Sequence, residues 1–239
     1  MKRRRTVAIA VVIVAIALAG CIGPFADSSP SDEVLDADGE YTWDADTDVH
    51  VTVDVGSYAA VYDLDGETTF ELSQRSYYRD RAVDIEAVRF QYPNGTELTG
   101  SDLEISQSRS TTTVEVPDGN GTLAFTAPAG SKEAIIPGLV EGSYTIELPE
   151  NHRVGNFFLS NVRPSNDDSD RTDGRQVLTW EATSSDIYIQ FYLSRDHYLF
   201  YGMIIGGIGI GIGGTLYYRR QIRQLAERRR RLAGELLDD

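Results

Sequence analysis

Between His197 and Arg219 runs YLFYGMIIGGIGIGIGGTLYY, Tyr198 to Tyr218, 21 residues without a charge and followed at once by Arg219 and Arg220. At ~1.5 Å per residue a helix of this length reaches roughly 32 Å, enough to cross a hydrocarbon core of roughly 30 Å. The stretch predicts a transmembrane helix over 198–218, which places the residues on its two sides in different compartments. Tyr198, Phe200 and Tyr201 at one end and Tyr217 and Tyr218 at the other suit the two water interfaces, where amphipathic rings settle. Arg219, Arg220, Arg223 and the run Arg228 to Arg231 predict a cytoplasmic C-terminus by the positive-inside bias, so everything before Tyr198 is expected outside.

The start of the chain fits that topology. Lys2, Arg3, Arg4 and Arg5 precede an apolar run from Val7 to Leu18, short for a span, and small residues before a cysteine, the three parts of a secretory signal. Leu18-Ala19-Gly20-Cys21 resembles the lipobox at which prokaryotic lipoproteins are cleaved and lipidated, and Cys21 is the only cysteine in the chain. The resemblance implies a mature N-terminus at a lipid-bearing Cys21; the alternative is an uncleaved anchor from Val7 to Ile22. Arg4-Arg5-Thr6-Val7-Ala8 partly resembles a twin-arginine signal, which leaves the export route open. With one cysteine, no intramolecular disulfide can form.

Charge is unevenly spread. Residues 22–197 hold 33 acidic and 11 basic side chains, a net −22, whereas 198–239 is net basic. Lys2 and Lys132 are the only lysines. An acidic, lysine-poor surface of this kind resembles that of proteins from extreme halophiles, where molar salt shortens the screening length to about 3 Å. No basic stripe is present to neutralise phosphates, so nucleic acid is excluded as a partner of this region.

Residues 22–40, with Pro24, Ser28, Ser29, Pro30 and several Asp, predict a flexible acidic tether. Beyond Tyr41 the pattern becomes short alternating runs. Val49, Val51, Val53 and Val55 share one face; further strands are expected at Tyr58–Leu64, Thr68–Ser73, Val83–Tyr92, Thr111–Val116, Thr122–Thr126, Tyr144–Leu148, Val154–Val162, Val177–Glu181 and Asp186–Leu193. Asp65-Gly66 and Pro93-Asn94-Gly95-Thr96 carry hairpin signals, and Pro117 to Gly121 joins another candidate pair. Ser165–Gly174 reads as a polar loop. Trp180 and the face Ile187, Ile189, Phe191, Leu193 are candidate core. These runs predict an all-β ectodomain of about ten strands, an Ig-like β-sandwich, with one C-terminal transmembrane helix.

Chemistry-bearing motifs are few. Asn94 and Asn120 stand in Asn-x-Thr sequons within turns, candidate glycosylation sites. Asp44-Ala45-Asp46-Thr47-Asp48 and Asn166-Asp167-Asp168-Ser169-Asp170 supply oxygens for calcium, but Val49 and Val55 stand where an EF-hand needs glycine and glutamate. A solvated halophilic surface explains both runs. His50, His152 and His197 are far apart and form no zinc motif. There is no GxSxG elbow, phosphate loop or nucleophile with an identifiable base, so no catalytic residue, metal or cofactor is assigned and an enzyme is not expected. Carboxylates acting as a hydrolase pair form a weaker alternative that the general acidity leaves uninformative. In the helix, Gly202, Gly206, Gly207, Gly211 and Gly213 recur at small-xxx-small spacing, which predicts self-association or a membrane-protein partner. Past it, Gln221 to Leu237 predicts a continuing helix with Ile222, Leu225, Leu232 and Leu236 on one side: a basic topology anchor, a surface helix held by anionic lipid headgroups or a short pairing helix.

The lipobox, RFQYPNGTEL, VEGSYTIELPENHRVGNFFLSNVRP and the closing YLFYG and YYRRQIRQL together resemble an uncharacterised family of haloarchaeal membrane lipoproteins over nearly the whole chain. That resemblance implies source and topology and supplies no catalytic residue. The chain is expected to divide into a signal peptide (1–20), a lipidated cysteine and tether (21–40), the β-sandwich (41–197), the transmembrane helix (198–218) and a cytoplasmic tail helix (219–239). The expected role is a non-enzymatic binding or scaffolding module of the envelope, the alternative a sensor or accessory subunit coupling through the glycine-rich helix.

Overall fold

A computed structural model describes residues 29–74 and 80–235. A one-turn helix α1 (Asp32–Leu35) comes first. The strands follow as β1 (Val49–Val53), β2 (Ser57–Asp63), β3 (Thr69–Gln74), β4 (Arg81–Ala82), β5 (Glu86–Gln91), β6 (Glu97–Thr99), β7 (Glu104–Gln107), β8 (Thr112–Glu115) and β9 (Thr122–Pro128). Then come β10 (Glu133–Ile136), β11 (Gly142–Glu147), β12 (His152–Arg153), β13 (Asn161–Arg163), β14 (Asp168–Thr172), β15 (Arg175–Thr183), β16 (Ile187–Gln190), β17 (Tyr192–Leu193) and one long helix α2 (Ser194–Glu235). The described residues are mostly β-sheet with one long, apolar C-terminal helix, the two element types that the alternating runs and the uncharged stretch predict.

Eight strands make one mixed sheet in the order β14-β15-β11-β1-β2-β9-β5-β6, in which only β1 and β11 run parallel. Alternation along β1 puts Val49, Val51 and Val53 on one face, all fully buried. Register carries that face sideways: Trp180, Tyr144, Val49, Tyr62, Leu123, Phe90 and Leu98 stand side by side across seven strands. Two smaller sheets, β4-β3-β8-β7 and β10-β16-β13, contribute Phe70, Leu72, Val114, Ile187 and Ile189 to the same buried cluster, so one core serves the β-region. Each large side chain buried there contributes about 1.5–3 kcal/mol. Three polar tips on this face find acceptors: Tyr62 Oη donates to Pro137 O at 2.9 Å, Tyr144 Oη to Val140 O at 2.7 Å and Trp180 Nε1 to Pro164 O at 3.2 Å.

Several local expectations give way to longer-range pairing. The Asn94 turn does close a β5–β6 hairpin, with Tyr92 N–H donating to Thr96 O at 2.9 Å and Gly95 at φ +81°. Asp65-Gly66 closes none: β2 pairs with β1 and β9, β3 with β4 and β8, so the turn carries the chain between sheets. Pro117–Gly121 does the same from β8 to β9, and the two turns lie together, Gly66 N–H donating to Gly119 O at 3.0 Å. The run expected as one strand from Val83 to Tyr92 is shorter: β5 covers Glu86–Gln91, residues 83–85 lie outside any strand, and within β5 Ala87 adopts φ +53° at a register shift between Glu86 and Arg89. Val55 lies beyond the end of β1, in the Asp54–Gly56 turn, and is exposed. Of the strand expected over Val154–Val162 only Asn161 and Val162 are in one, β13; residues 154–160 form a turn between β12 and β13. Within Ser165–Gly174 a strand, β14, pairs with β15 around Asp173-Gly174; it has no apolar residue, so no alternation marks it.

Part of the expected tether is docked. Leu35 of α1 is only 4% exposed, and Arg89 Nη1 and Nη2 donate to Leu35 O, Asp36 O and Ala37 O at 3.5, 3.1 and 2.8 Å. Asp36 accepts from Ser101 N–H and Oγ at 2.9 and 2.7 Å, hydrogen bonds that hold its carboxyl below the usual range. At the other end α2 runs 42 residues, roughly 63 Å at ~1.5 Å per residue. It contains a stretch of mean hydropathy 1.7, none of it buried, that is long and apolar enough to cross a membrane.

Candidate functional site

Strand direction gives the β-region two ends. The starts of β1, β9 and β11 and the ends of β2, β5 and β15 share one end, which carries the Asn94 and Asn120 turns. α2 leaves from the opposite end. Ser194 N–H and Oγ donate to Asn151 O at 2.8 and 2.9 Å, just past β11, and Lys132 Nζ reaches Asp196 Oδ2 at 3.0 Å, just past β9. No linker separates β17, which ends at Leu193, from α2, which starts at Ser194.

Beside that junction the turn between β12 and β13 folds around Asn156. Its Oδ1 accepts from Phe158 N–H at 2.9 Å and its carbonyl from Leu159 N–H, Ser160 N–H and Ser160 Oγ at 3.1, 2.9 and 2.8 Å. Ser160 Oγ also accepts from Gly155 N–H and Asn156 N–H at 2.9 and 3.0 Å. So tied, the turn presents Phe157, 90% exposed, and Phe158, 73% exposed, edge to face at 5.2 Å. Phe158 also lies 5.8 Å from the ring of Phe200 on α2.

His197, in the first turn of α2, packs among rings. Tyr192 stacks on it at 6.2 Å, Tyr201 lies at 4.7 Å, and Asn156 Nδ2 is 3.4 Å from its Nδ1. Between turn and helix opens a cavity of about 410 Å³ whose rim includes Arg153 and Arg171 and whose lining has no carboxylate. Neither arginine makes an ion pair with a described residue. In a region where acidic groups outnumber basic ones threefold, a carboxylate-free cavity with two such guanidinium groups suits an anion next to an apolar surface.

The family of unknown function DUF5803 matches residues 45–236. This chain belongs to it. The match covers the β-region and α2 together, so the junction lies inside the DUF5803 match. No curated protein matches the sequence. Among solved structures, the M1 zinc metallopeptidase from Deinococcus radiodurans aligns at 11% identity and TM-score 0.32. A mutant of it aligns at 10% and 0.33, and that mutant bound to a Tyr-Ser-Ala substrate at 11% and 0.33. Each alignment covers 60% of this chain and 41% of the peptidase chain. Likeness at that level carries no argument about this DUF5803 chain.

The sequence-derived sites disperse. Cys21 lies outside the described residues. Asn94 and Asn120 are both exposed, Asn94 Oδ1 accepting from Thr96 N–H at 2.9 Å and Asn120 N–H donating to Asp118 Oδ1 at 3.0 Å; Gly95 and Asn120 border one shallow cavity of about 360 Å³. Gly202, Gly206, Gly207, Gly211 and Gly213 lie on α2 with open space beside each. Among the described residues no three His, Cys, Asp or Glu converge on a metal position. Asp48, from the first acidic run, is instead clamped by Ser143 N–H and Oγ, both at 2.7 Å, which holds its carboxyl below the usual range. Burial lowers His50, although Glu147 Oε1 at 3.8 Å opposes the shift; the distance is too long for a hydrogen bond.

The Phe157–Phe158 turn was not legible in the sequence, because the apolar residues of Val154–Val162 read as a strand. Asn156 followed by two aromatics and Ser160 was the available signal.

Proposed function

We propose that this protein is a membrane-anchored, extracytoplasmic, non-enzymatic binding or scaffolding module of the cell envelope. α2 crosses the membrane once with the C-terminus in the cytoplasm, and a lipid on Cys21 adds a second attachment. The acidic, lysine-poor composition supports an extremely halophilic, haloarchaeal source. One core shared by the large sheet and two smaller ones supports the Ig-like sandwich reading.

The observation that carries this function is the junction. Ser194, Asp196 and His197 are bonded or packed to Asn151, Lys132 and Tyr192 across a linkerless strand-to-helix step. A domain joined so directly stands at one height and orientation over the bilayer and presents the end with Asn94 and Asn120 outward, where glycans would not meet the membrane. Holding a surface at a set distance is what a scaffold needs.

The same junction favours a second reading, a sensor or accessory subunit. A change in the domain would reach α2 without slack, and the Gly207-x-x-x-Gly211 spacing would pass it to a partner helix. In-membrane crosslinking at native salt, with mass spectrometry of the captured proteins and of the mature N-terminal peptide, separates the readings. Recovery of the lipidated protein with envelope components supports the scaffold. A defined membrane-protein partner, lost on Gly207→Leu and Gly211→Leu, supports the sensor. Fractionation of the intact protein away from membranes overturns both.

A further inference from the structure

We propose that the turn at Phe157–Phe158 and the cavity beside it form a lipid-binding collar, the two rings entering the outer leaflet while Arg153 and Arg171 hold the phosphate of an anionic lipid headgroup. The collar requires that α2 span the membrane, and so rests on the proposed function.

Depth supports it first. Phe200 belongs to the uncharged stretch that begins at Tyr198, and Phe158 lies 5.8 Å from its ring. A side chain packed on Phe200 sits at the same level of the interface, where aromatic rings concentrate. Phe157, edge to face with Phe158, extends the same apolar surface.

Rigidity supports it next. Two adjacent phenylalanines left in water forfeit the gain of burying their rings, and a slack loop would fold them against the protein. This one is held open by six hydrogen bonds centred on Asn156 and Ser160, so it presents a preformed apolar wedge.

Charge completes the case. The exported region is net −22 and repels anions overall, yet the cavity adjoining the wedge has no carboxylate in its lining and two arginines without ion-pair partners among the described residues. A guanidinium fork binds a phosphate through two parallel N–H donors. At the level where α2 enters the bilayer, the phosphate present in quantity is that of the lipid headgroups. Tyr198 and Tyr201 also line the cavity, so the phosphate would sit between the arginines and rings already at the interface.

The full-length protein, reconstituted in vesicles of phosphatidylcholine and phosphatidylglycerol, tests this with tryptophan as a local reporter. Phe157→Trp is quenched by brominated acyl chains only if the turn enters the leaflet, after subtraction of the signal from Trp43 and Trp180. Ile208→Trp, mid-helix, reports insertion of α2 independently. We expect both reporters to be quenched, and the Phe157→Trp reporter to be quenched more when bromine is on phosphatidylglycerol. Arg153→Gln and Arg171→Gln should each reduce that preference about fivefold at the lowest salt that keeps the protein folded, with lysine at both positions restoring most of it. The cytoplasmic arginines lie across the bilayer and do not affect this reporter.

Quenching at Ile208→Trp without quenching at Phe157→Trp overturns the collar and leaves the spanning helix intact. Quenching at neither overturns the spanning reading and the collar with it. Equal quenching by the two headgroups, or a preference abolished by inorganic phosphate, overturns the headgroup site.

Discussion

Tyr58 and Tyr62 sit four residues apart on the inner face of β2, flank the same ring and differ in one atom's surroundings. Tyr62 stacks on Phe125 at 5.6 Å and gives its hydroxyl hydrogen to Pro137 O; Tyr58 meets Phe125 edge-on at 6.4 Å, and its buried hydroxyl has no partner among the described protein atoms. Burial pushes both hydroxyls far above the ordinary tyrosine range and pushes that of Tyr144 up to about 12, so all three are neutral at any working pH. An unsatisfied buried hydroxyl costs about 1–3 kcal/mol, whereas a satisfied one contributes about 1 kcal/mol. Tyr58→Phe is therefore expected to raise unfolding free energy by about 1 kcal/mol, and Tyr62→Phe to lower it by about as much, because Pro137 O loses its donor. Denaturant unfolding of the two variants checks this; a larger loss in Tyr58→Phe would show that its hydroxyl has a partner after all.

At the scale of elements, α1 is kept in place by the large sheet and not by its own sequence. One turn is far too short to be helical alone. Leu35 seats where Gly100 has no side chain: a Cβ there would lie 2.7 Å from Leu35 Cβ. Arg89 then ties three consecutive carbonyl groups, those of Leu35, Asp36 and Ala37. Charge-assisted hydrogen bonds of this kind are worth about 1.5–3 kcal/mol each when their acceptors stay buried, less when water replaces the donor. Arg89→Ala should cost about 2 kcal/mol and open residues 29–40 to limited proteolysis, with Arg89→Lys failing to restore protection because an ammonium cannot span three carbonyls. Unchanged cleavage would mean that Leu35 alone holds the segment. The same scale explains which turns were legible. Pro93 to Thr96 joins strands that pair with each other, so local residues sufficed. Asp65-Gly66 reverses the chain equally well, through Gly66 at φ +89°, yet the partners of β2 and β3 lie elsewhere in the sequence.

For the whole molecule, charge sets the response to salt. A region with 33 acidic and 11 basic groups repels itself, and the few ion pairs among described residues, such as Arg175–Asp54 at 2.9 Å and Lys132–Asp196 at 3.0 Å, offset little of that. Thermal unfolding should therefore shift upward as salt rises from dilute to molar, since screening removes repulsion faster than it weakens these pairs. A midpoint that falls with salt would contradict it. By itself, the sequence determined the β class, the buried alternation of β1 and β11, the Asn94 hairpin and the long apolar helix, because each rests on residues that are neighbours along the chain. Tertiary structure alone decided that β1 pairs in parallel with β11, that β14 exists without an apolar residue, that α1 docks on Arg89, and that Phe157, Phe158, Arg153 and Arg171 gather beside the first turns of α2. Those outcomes depend on which distant segments share a register or an end of the sheet, and pairing over that distance is set by the fit of whole faces, which no local period records.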